Sequence, residues 1–328
     1  MTIWVVGLPF YDTRPWKEQI GLLRRFLNED GYKYQDDVVI VGNQSDLTVA
    51  HSEFMDYKYF ITHQFMAMQE VINNYVKGDT IFFMDGECPG AEAFEYIQKM
   101  SGDNIKINMY WHAGTYDTTD LTAIRGVKGV NFEKGWFDIA DKIFVGTNFH
   151  KKLLNLMRGV DLDKIYVTGE PFDFDMGKDK FLYDSARENF IFGGRLSNDK
   201  GYDVIKKLRA KGYNIYATME HNLSKIDYLG ALFKAKLTIV PSRHEMFGIV
   251  PIESVIMGTP VIASDIGAYK DYLPKSWLYE DEEDLQETLE DIKNEVNLAR
   301  YSHSKIMQVK NKMKEKYDYR KVWEKWLS

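Results

Sequence analysis

The chain has 328 residues, of which 45% are hydrophobic and 28% charged, and carries a formal net charge of −7. Single cores stop growing near ~250 residues, so this length points to two cores, and the apolar fraction excludes a disordered chain. The acidic balance leaves any nucleic-acid contact to a local basic patch. The one cysteine, Cys88, excludes a disulfide framework and a thiolate metal cluster, and fits a reducing compartment.

Residues 1–6 run into an apolar strand without a basic leader, and no apolar run reaches the ~18 residues of a membrane span, so a soluble cytoplasmic protein is expected. Short β-rich runs at 2–6, 38–41, 80–84, 106–111, 142–145 and 164–167 alternate with helical periodicity over 16–28, 63–76 and 91–100. That alternation predicts a parallel sheet covered by helices, one doubly wound half. Residues 170–184 hold Pro171 and Gly177 without periodicity and read as a connection, placing an amino-terminal domain at 1–172. A second set of strands at 189–192, 214–217, 237–240, 260–263 and 277–279 predicts a smaller doubly wound domain over 185–310. Acidic residues over 280–291 give way to basic ones over 305–325, the mark of solvated helix faces. A terminal helix is expected within 311–328, where Val322, Trp323, Trp326 and Leu327 share a face that must be buried.

The most informative text is Pro241-Ser242-Arg243-His244-Glu245-Met246-Phe247-Gly248, leading to Pro251, Glu253 and then Gly258-Thr259-Pro260-Val261-Ile262-Ala263. It parses as strand, loop, helix, strand: Pro251 suits a first helical turn and Gly258 a left-handed stop. A helix start after such a loop exposes backbone N–H groups and a positive dipole end, which favour phosphate. Glu245 and Glu253 flank it, and carboxylates accept hydrogen bonds from sugar hydroxyls. Upstream, Gly193-Gly194-Arg195 leads to Lys200-Gly201 at another strand–loop–helix unit. An arginine and a lysine there can neutralise a diphosphate, the first bidentately and the second as a point charge.

Glu, seven residues, then Glu, within Pro-Ser-x-x-Glu-x-Phe-Gly and ahead of Gly-Thr-Pro-Val-Ile-Ala, closely resembles the signature of retaining GT-B glycosyltransferases of the family 4 kind. The resemblance is strong over residues 189–272 and mainly architectural before 184. It implies an α/β GT-B fold of two Rossmann-like doubly wound domains facing a central cleft, with the final helix packing back on the first domain. It implies a nucleoside diphosphate sugar as donor, a UDP-sugar being favoured, hexosyl transfer with retained configuration, and no cofactor or obligatory metal. Glu253 is then expected to hold the ribose hydroxyls and Glu245 to lie beside the transferred sugar. Gly194 and the backbone of Met246, Phe247 and Gly248 are expected to touch sugar and phosphate. Arg195 and Lys200 are expected to stabilise the leaving diphosphate. His112, at the carboxyl end of the strand over 106–111, matches a family histidine near the reacting sugar, although strand-end histidines also serve as structural hydrogen-bonding groups. Gly7 matches a donor-contacting loop, but Gly7-Leu8-Pro9-Phe10 lacks the usual second glycine, and Ser264-Asp265-Ile266-Gly267 keeps only half of another glycine pair. Between Gly201 and Leu237 there is room for one short strand, which predicts a trimmed base pocket.

Other readings stay open on the residues. Asp85-Gly86-Glu87 after a buried strand resembles the divalent-metal motif of GT-A transferases. A non-catalytic nucleotide-sugar-binding module would keep Arg195, Lys200 and Glu253. A nicotinamide dehydrogenase is disfavoured because the first strand lacks Gly-x-Gly-x-x-Gly. The small size and distinctive first lobe are similar to phage-encoded glycosyltransferases, which implies hydroxymethylated pyrimidine in DNA as an acceptor and the host cytoplasm as the location. Arg14, Lys17, Arg24, Arg25, Lys128, Lys134, Lys151 and Lys152 would supply the phosphate-binding strip such an acceptor needs. A glycan, lipid or small molecule is the alternative acceptor.

Overall fold

The computed structural model describes residues 1–7, 16–28, 37–42, 57–119, 121–176, 187, 189–296 and 298–328. The chain forms two compact units, Met1–Phe172 with Tyr319–Ser328, and Asp173–Asp318. Of the expected connection, residues 170–176 are described and residues 177–184 lie outside; Glu170 is a buried residue of the first unit. No described helix is long and apolar enough to cross a membrane.

In chain order the first unit contains β1 (Ile3–Val6), α1 (Trp16–Asn28), β2 (Val38–Val41), α2 (Tyr57–Asn74), β3 (Thr80–Phe83), α3 (Ala93–Ser101), β4 (Lys106–Tyr110), α4 (Gly126–Ile139), β5 (Lys142–Val145), α5 (Asn148–Arg158) and β6 (Ile165–Val167). These strands make a parallel six-stranded sheet in the order β2-β1-β3-β4-β5-β6. Alternate residues of each strand serve opposite faces. Trp4, Val6, Ile81 and Phe83 pack with α2, α4 and α5, whereas Ile3, Val5, Phe82 and Phe144 pack with α1.

The second unit contains β7 (Phe190–Phe192), α6 (Tyr202–Ala210), β8 (Ile215–Ala217), α7 (Lys225–Lys234), β9 (Leu237–Val240), α8 (Ile249–Ile256), β10 (Val261–Ser264), α9 (Gly267–Lys270), β11 (Leu278–Tyr279), α10 (Glu282–Lys293) and α11 (His303–Tyr317). Its five strands run parallel in the order β11-β10-β9-β7-β8. Both units are therefore parallel-sheet, Rossmann-like α/β structures.

Where one terminal helix was expected over 311–328, two form. Asp318 adopts φ −56 and ψ 131, which breaks the helical ladder and ends α11. α12 (Tyr319–Trp326) then joins the first unit against α1. Trp323 and Trp326 are fully buried beside Phe82, with ring centroids 6.2 and 5.2 Å away, and Trp326 Nε1 donates to Thr168 Oγ1 at 2.8 Å. The indole thus buries its ring and satisfies its one donor.

Among the described helices that the periodicity reading did not find, α4 and α7 are instructive. α4 contains Gly126, Gly129 and Gly135, poor helix formers by propensity. Gly129 is required by packing, since a Cβ there would lie 2.5 Å from Thr115 Cγ2. α7 begins with a legible cap: Ser224 Oγ accepts from the Asp227 amide and donates to Asp227 Oδ2.

Candidate active site

In the second sheet the strand order reverses between β7 and β9, and open α/β sheets bind ligands outside the carboxyl ends of strands at such a switch point. The loops that leave β7 and β9 hold the charged residues singled out by the sequence. Lys200 Nζ donates to Glu245 Oε1 at 2.7 Å and lies 3.9 Å from Asp199 Oδ2. Arg195 Nη2 donates to the same Asp199 oxygen at 3.1 Å, with its side chain largely in solvent. Lys200 and Glu245 are four-fifths covered. Lys200, Arg195 and Glu245 are thus brought into one network, with Asp199 as the member that sequence reasoning missed.

Backbone geometry fixes the two loops against each other. Gly201 has φ +74, and a Cβ there would lie 2.1 Å from the Pro241 carbonyl oxygen, so only glycine lets the β7 loop turn so close to the β9 loop. Arg243 ties them further: its amide donates to Asp199 O at 2.8 Å, Nη1 to Asn198 O at 2.5 Å and Nη2 to Asp203 Oδ2 at 2.6 Å. That guanidinium holds the Asp203 carboxyl below the usual carboxylate range. Only a charge in an otherwise familiar motif hinted at Arg243.

The loop then climbs to α8. Met246 and Phe247 bury their side chains, and the Phe247 ring meets Tyr317 edge-on at 5.3 Å. The Tyr272 hydroxyl donates to Phe247 O at 2.7 Å and to Gly248 O at 3.1 Å. Gly248, the N-cap, has φ +85, and a Cβ there would sit 2.6 Å from the Tyr269 ring. With both side chains anchored inward and Gly248 at the cap, the peptide units of residues 246–248 form the loop side of the α8 amino terminus.

Glu253, on α8, is buried and held by a different partner set. Its Oε1 accepts from Lys225 Nζ at 2.5 Å and its Oε2 from the Tyr228 hydroxyl at 2.8 Å. Both donors stand on α7, a helix the periodicity reading did not find. A Cβ on Gly193 would lie 2.9 Å from Val250 Cγ1 and 3.2 Å from Tyr228 Oη, so this glycine gives room to both helices. A Cβ on Gly194 would meet the Phe192 ring at 2.9 Å.

In the first unit, His112 follows β4 at the carboxyl end of the sheet. Its Nε2 bonds to Met84 O at 3.1 Å, and its Nδ1 lies 3.6 Å from Glu170 Oε1. Gln19 Nε2 donates to the other Glu170 oxygen at 2.9 Å. Burial disfavours the imidazolium and is the largest single influence on it. The Glu170 carboxylate, helped by Asp85 and the Met84 carbonyl, outweighs it and raises the His112 pKa above its ordinary value. Gly7 ends β1 with its amide donating to Val41 O at 3.1 Å; residues 8–10 of its loop lie outside the described residues.

The Asp85-Gly86-Glu87 motif is internally engaged. Asp85 Oδ1 accepts from the Glu87 amide at 3.1 Å, and Glu87 is bidentate to Arg125 at 2.5 and 3.0 Å. The expected basic strip does not form as one surface. Lys17, Arg24 and Arg25 ride on α1, against one face of the sheet, while Lys128, Lys134, Lys151 and Lys152 ride on α4 and α5, against the other. Arg14 lies outside the described residues.

Residues 207–301 match the family model described as glycosyl transferases group 1, a span that takes in Lys225, Tyr228, Glu245 and Glu253. An uncharacterised glycosyltransferase of Methanocaldococcus jannaschii is 25% identical over 253 residues, 67% of this chain and 70% of that protein. Among solved structures the chain is similar to sucrose-phosphate synthase from Thermosynechococcus elongatus, with a TM-score of 0.66 and 15% identity, covering 100% of this chain and 96% of that one. It is also similar to Anabaena HepE in complex with UDP and glucose, with a TM-score of 0.64 and 12% identity, covering 99% of this chain and 98% of that one. The fold is the GT-B fold of two Rossmann-like α/β domains, and residues 207–301 of the second unit match the group 1 glycosyl transferase model.

Proposed function

We propose, taking as premise a group 1 glycosyl transferase domain on a GT-B fold, that the chain transfers a hexosyl unit from a nucleoside diphosphate sugar to an acceptor hydroxyl with retained configuration. The observation that carries the proposal is the Lys200–Glu245 pair at 2.7 Å across the β7–β9 switch point, with Arg195 and Asp199 alongside. A bound diphosphate would draw Lys200 and Arg195 from these carboxylates. Glu245, released from the ammonium, would then accept from hydroxyls of the transferred sugar.

The proposed step breaks the bond from the anomeric carbon to the diphosphate oxygen. The acceptor oxygen bonds to that carbon on the same face, and its proton passes to a diphosphate oxygen. Arg195 and Lys200 stabilise the charge on the leaving group, the role that dominates such transfers. The likeness to HepE, which was solved with UDP and glucose, supports a UDP-sugar as donor. Two cations at the diphosphate position support activity without an obligatory metal, and the bidentate Glu87–Arg125 pair disfavours a metal at Asp85 and Glu87. His112, beside Glu170 at the carboxyl end of the first sheet, keeps by resemblance the proposed role of a histidine near the reacting sugar.

A thermal-shift panel of UDP-, GDP- and ADP-sugars, then transfer assays on hydroxymethylated DNA and simple glycans with and without EDTA, tests this reading. Stabilisation by one nucleotide class and sugar transfer that persists in EDTA are expected. No shift with any sugar nucleotide would overturn this reading, and binding without donor turnover by mass spectrometry would reduce the chain to a nucleotide-sugar-binding module that does not catalyse. Product NMR reports the anomeric configuration.

A further inference from the structure

A ribose presents two vicinal hydroxyls, and a lone carboxylate on a rotatable side chain meets them in many orientations. Glu253 is not such a group. Lys225 and Tyr228, three residues apart and so on one side of α7, take one carboxylate oxygen each at 2.5 and 2.8 Å. Tyr228 is itself set against the Gly193 backbone, where even a Cβ would come within 3.2 Å of its hydroxyl. The plane of the carboxylate is therefore fixed from both ends. Each oxygen has about two lone-pair sites, so each can accept a further bond while keeping its α7 donor.

Resting on the reading that Glu253 receives the donor's ribose, we propose that Lys225 and Tyr228 are positioning residues that make the site selective for ribonucleotide over 2′-deoxyribonucleotide donors. Held by two donors, Glu253 offers a pair of acceptors matched to a pair of hydroxyls. A 2′-deoxy sugar fills only one, and a site built to bond a hydroxyl discriminates strongly against the analogue without it. Removing Lys225 or Tyr228 frees the carboxylate to turn toward a single hydroxyl, so the penalty for the missing one falls.

The test is calorimetric binding of whichever of UDP, GDP or ADP gives the largest thermal shift, together with its 2′-deoxy counterpart, to the full chain and to Lys225→Met, Lys225→Arg, Tyr228→Phe and Glu253→Gln variants. The unmodified protein is expected to prefer the ribonucleotide by tenfold or more. Lys225→Met and Tyr228→Phe are expected to shrink that preference at least threefold, chiefly through weaker ribonucleotide binding, and Lys225→Arg to keep most of it. A general loss of structure would weaken both nucleotides alike and leave the ratio unmoved, overturning the inference. A ratio that collapses in Glu253→Gln yet holds in both α7 variants overturns the role of α7 and leaves the ribose reading standing. A ratio that Glu253→Gln does not move overturns the ribose reading itself.

Discussion

Lys200 and Glu245 meet at 2.7 Å although 45 residues separate them in sequence. Each closes one side of the point where the second sheet reverses its strand order, so the ion pair marks the place where two loops leave the sheet in opposite directions. Asp199 and Arg195 extend the pair toward solvent, and the four charges alternate in sign along the rim. On the proposed reading, a diphosphate entering there would exchange partners with groups already in position.

Arg195→Ala is expected to lower turnover on the order of 10²-fold by removing charge stabilisation from the departing diphosphate. Because Arg195 is largely in solvent, its pair with Asp199 adds little to stability, and the unfolding midpoint is expected to stay unchanged. Steady-state kinetics beside a urea titration checks both; near-normal turnover contradicts the assignment.

Gly201→Ala is expected to destabilise the second unit. A left-handed backbone costs a residue with a side chain about 1–3 kcal/mol, and overlap with the Pro241 carbonyl adds a comparable amount. Hydrogen exchange in peptides from β7 to β9 is expected to accelerate, with donor turnover falling alongside, while peptides of the first unit keep their protection.

The pH response of the first unit is expected to carry the signature of His112. Its pKa in the folded chain lies above the ordinary value near ~6.5, so protonation favours the folded state. That contribution is complete below the ordinary pKa and is lost as pH rises through the raised one. Glu170→Gln removes the carboxylate that lifts the pKa and leaves burial, which lowers it. The His112 ring-proton titration midpoint, followed by NMR, is therefore expected to fall in the variant; an unmoved midpoint contradicts the pairing.

Trp326→Ala opens a void under α12 and leaves Thr168 without its indole partner, a loss of about 3–5 kcal/mol. Exchange in β1, β3 and α1 is expected to rise sharply, because all three share a core with α12. Exchange across residues 189–296 is expected to hold.

Much of the frame is legible in the sequence because buried parallel strands are written as short apolar runs, and all the expected strands form within one or two residues of their expected bounds. Arg195, Lys200, Glu245 and Glu253 stand out because a loop between strand and helix concentrates backbone donors and charge in one stretch of text. Lys225, Tyr228, Asp199 and Arg243 do not, because their importance lies in which charge they reach, and that is decided by the packing of α7 and by the turn at Gly201. A cap such as Ser224 marks only where α7 starts, not that its first turns grasp Glu253. The glycines of α4 masked a helix whose form follows from the tight passage at Thr115. The basic residues of α1, α4 and α5 read as a strip only while the sheet between them is unseen.

Because α12 completes the first core while α11 belongs to the second, the two units differ in when they can mature. The second unit is one unbroken stretch, residues 173–318, and takes no segment from elsewhere in the chain. The earlier half must wait, with the hydrophobic seat for Trp323 and Trp326 uncovered, until residues 319–328 arrive. Nascent chains arrested before Tyr319 are therefore the form in which chaperone engagement and aggregation should concentrate.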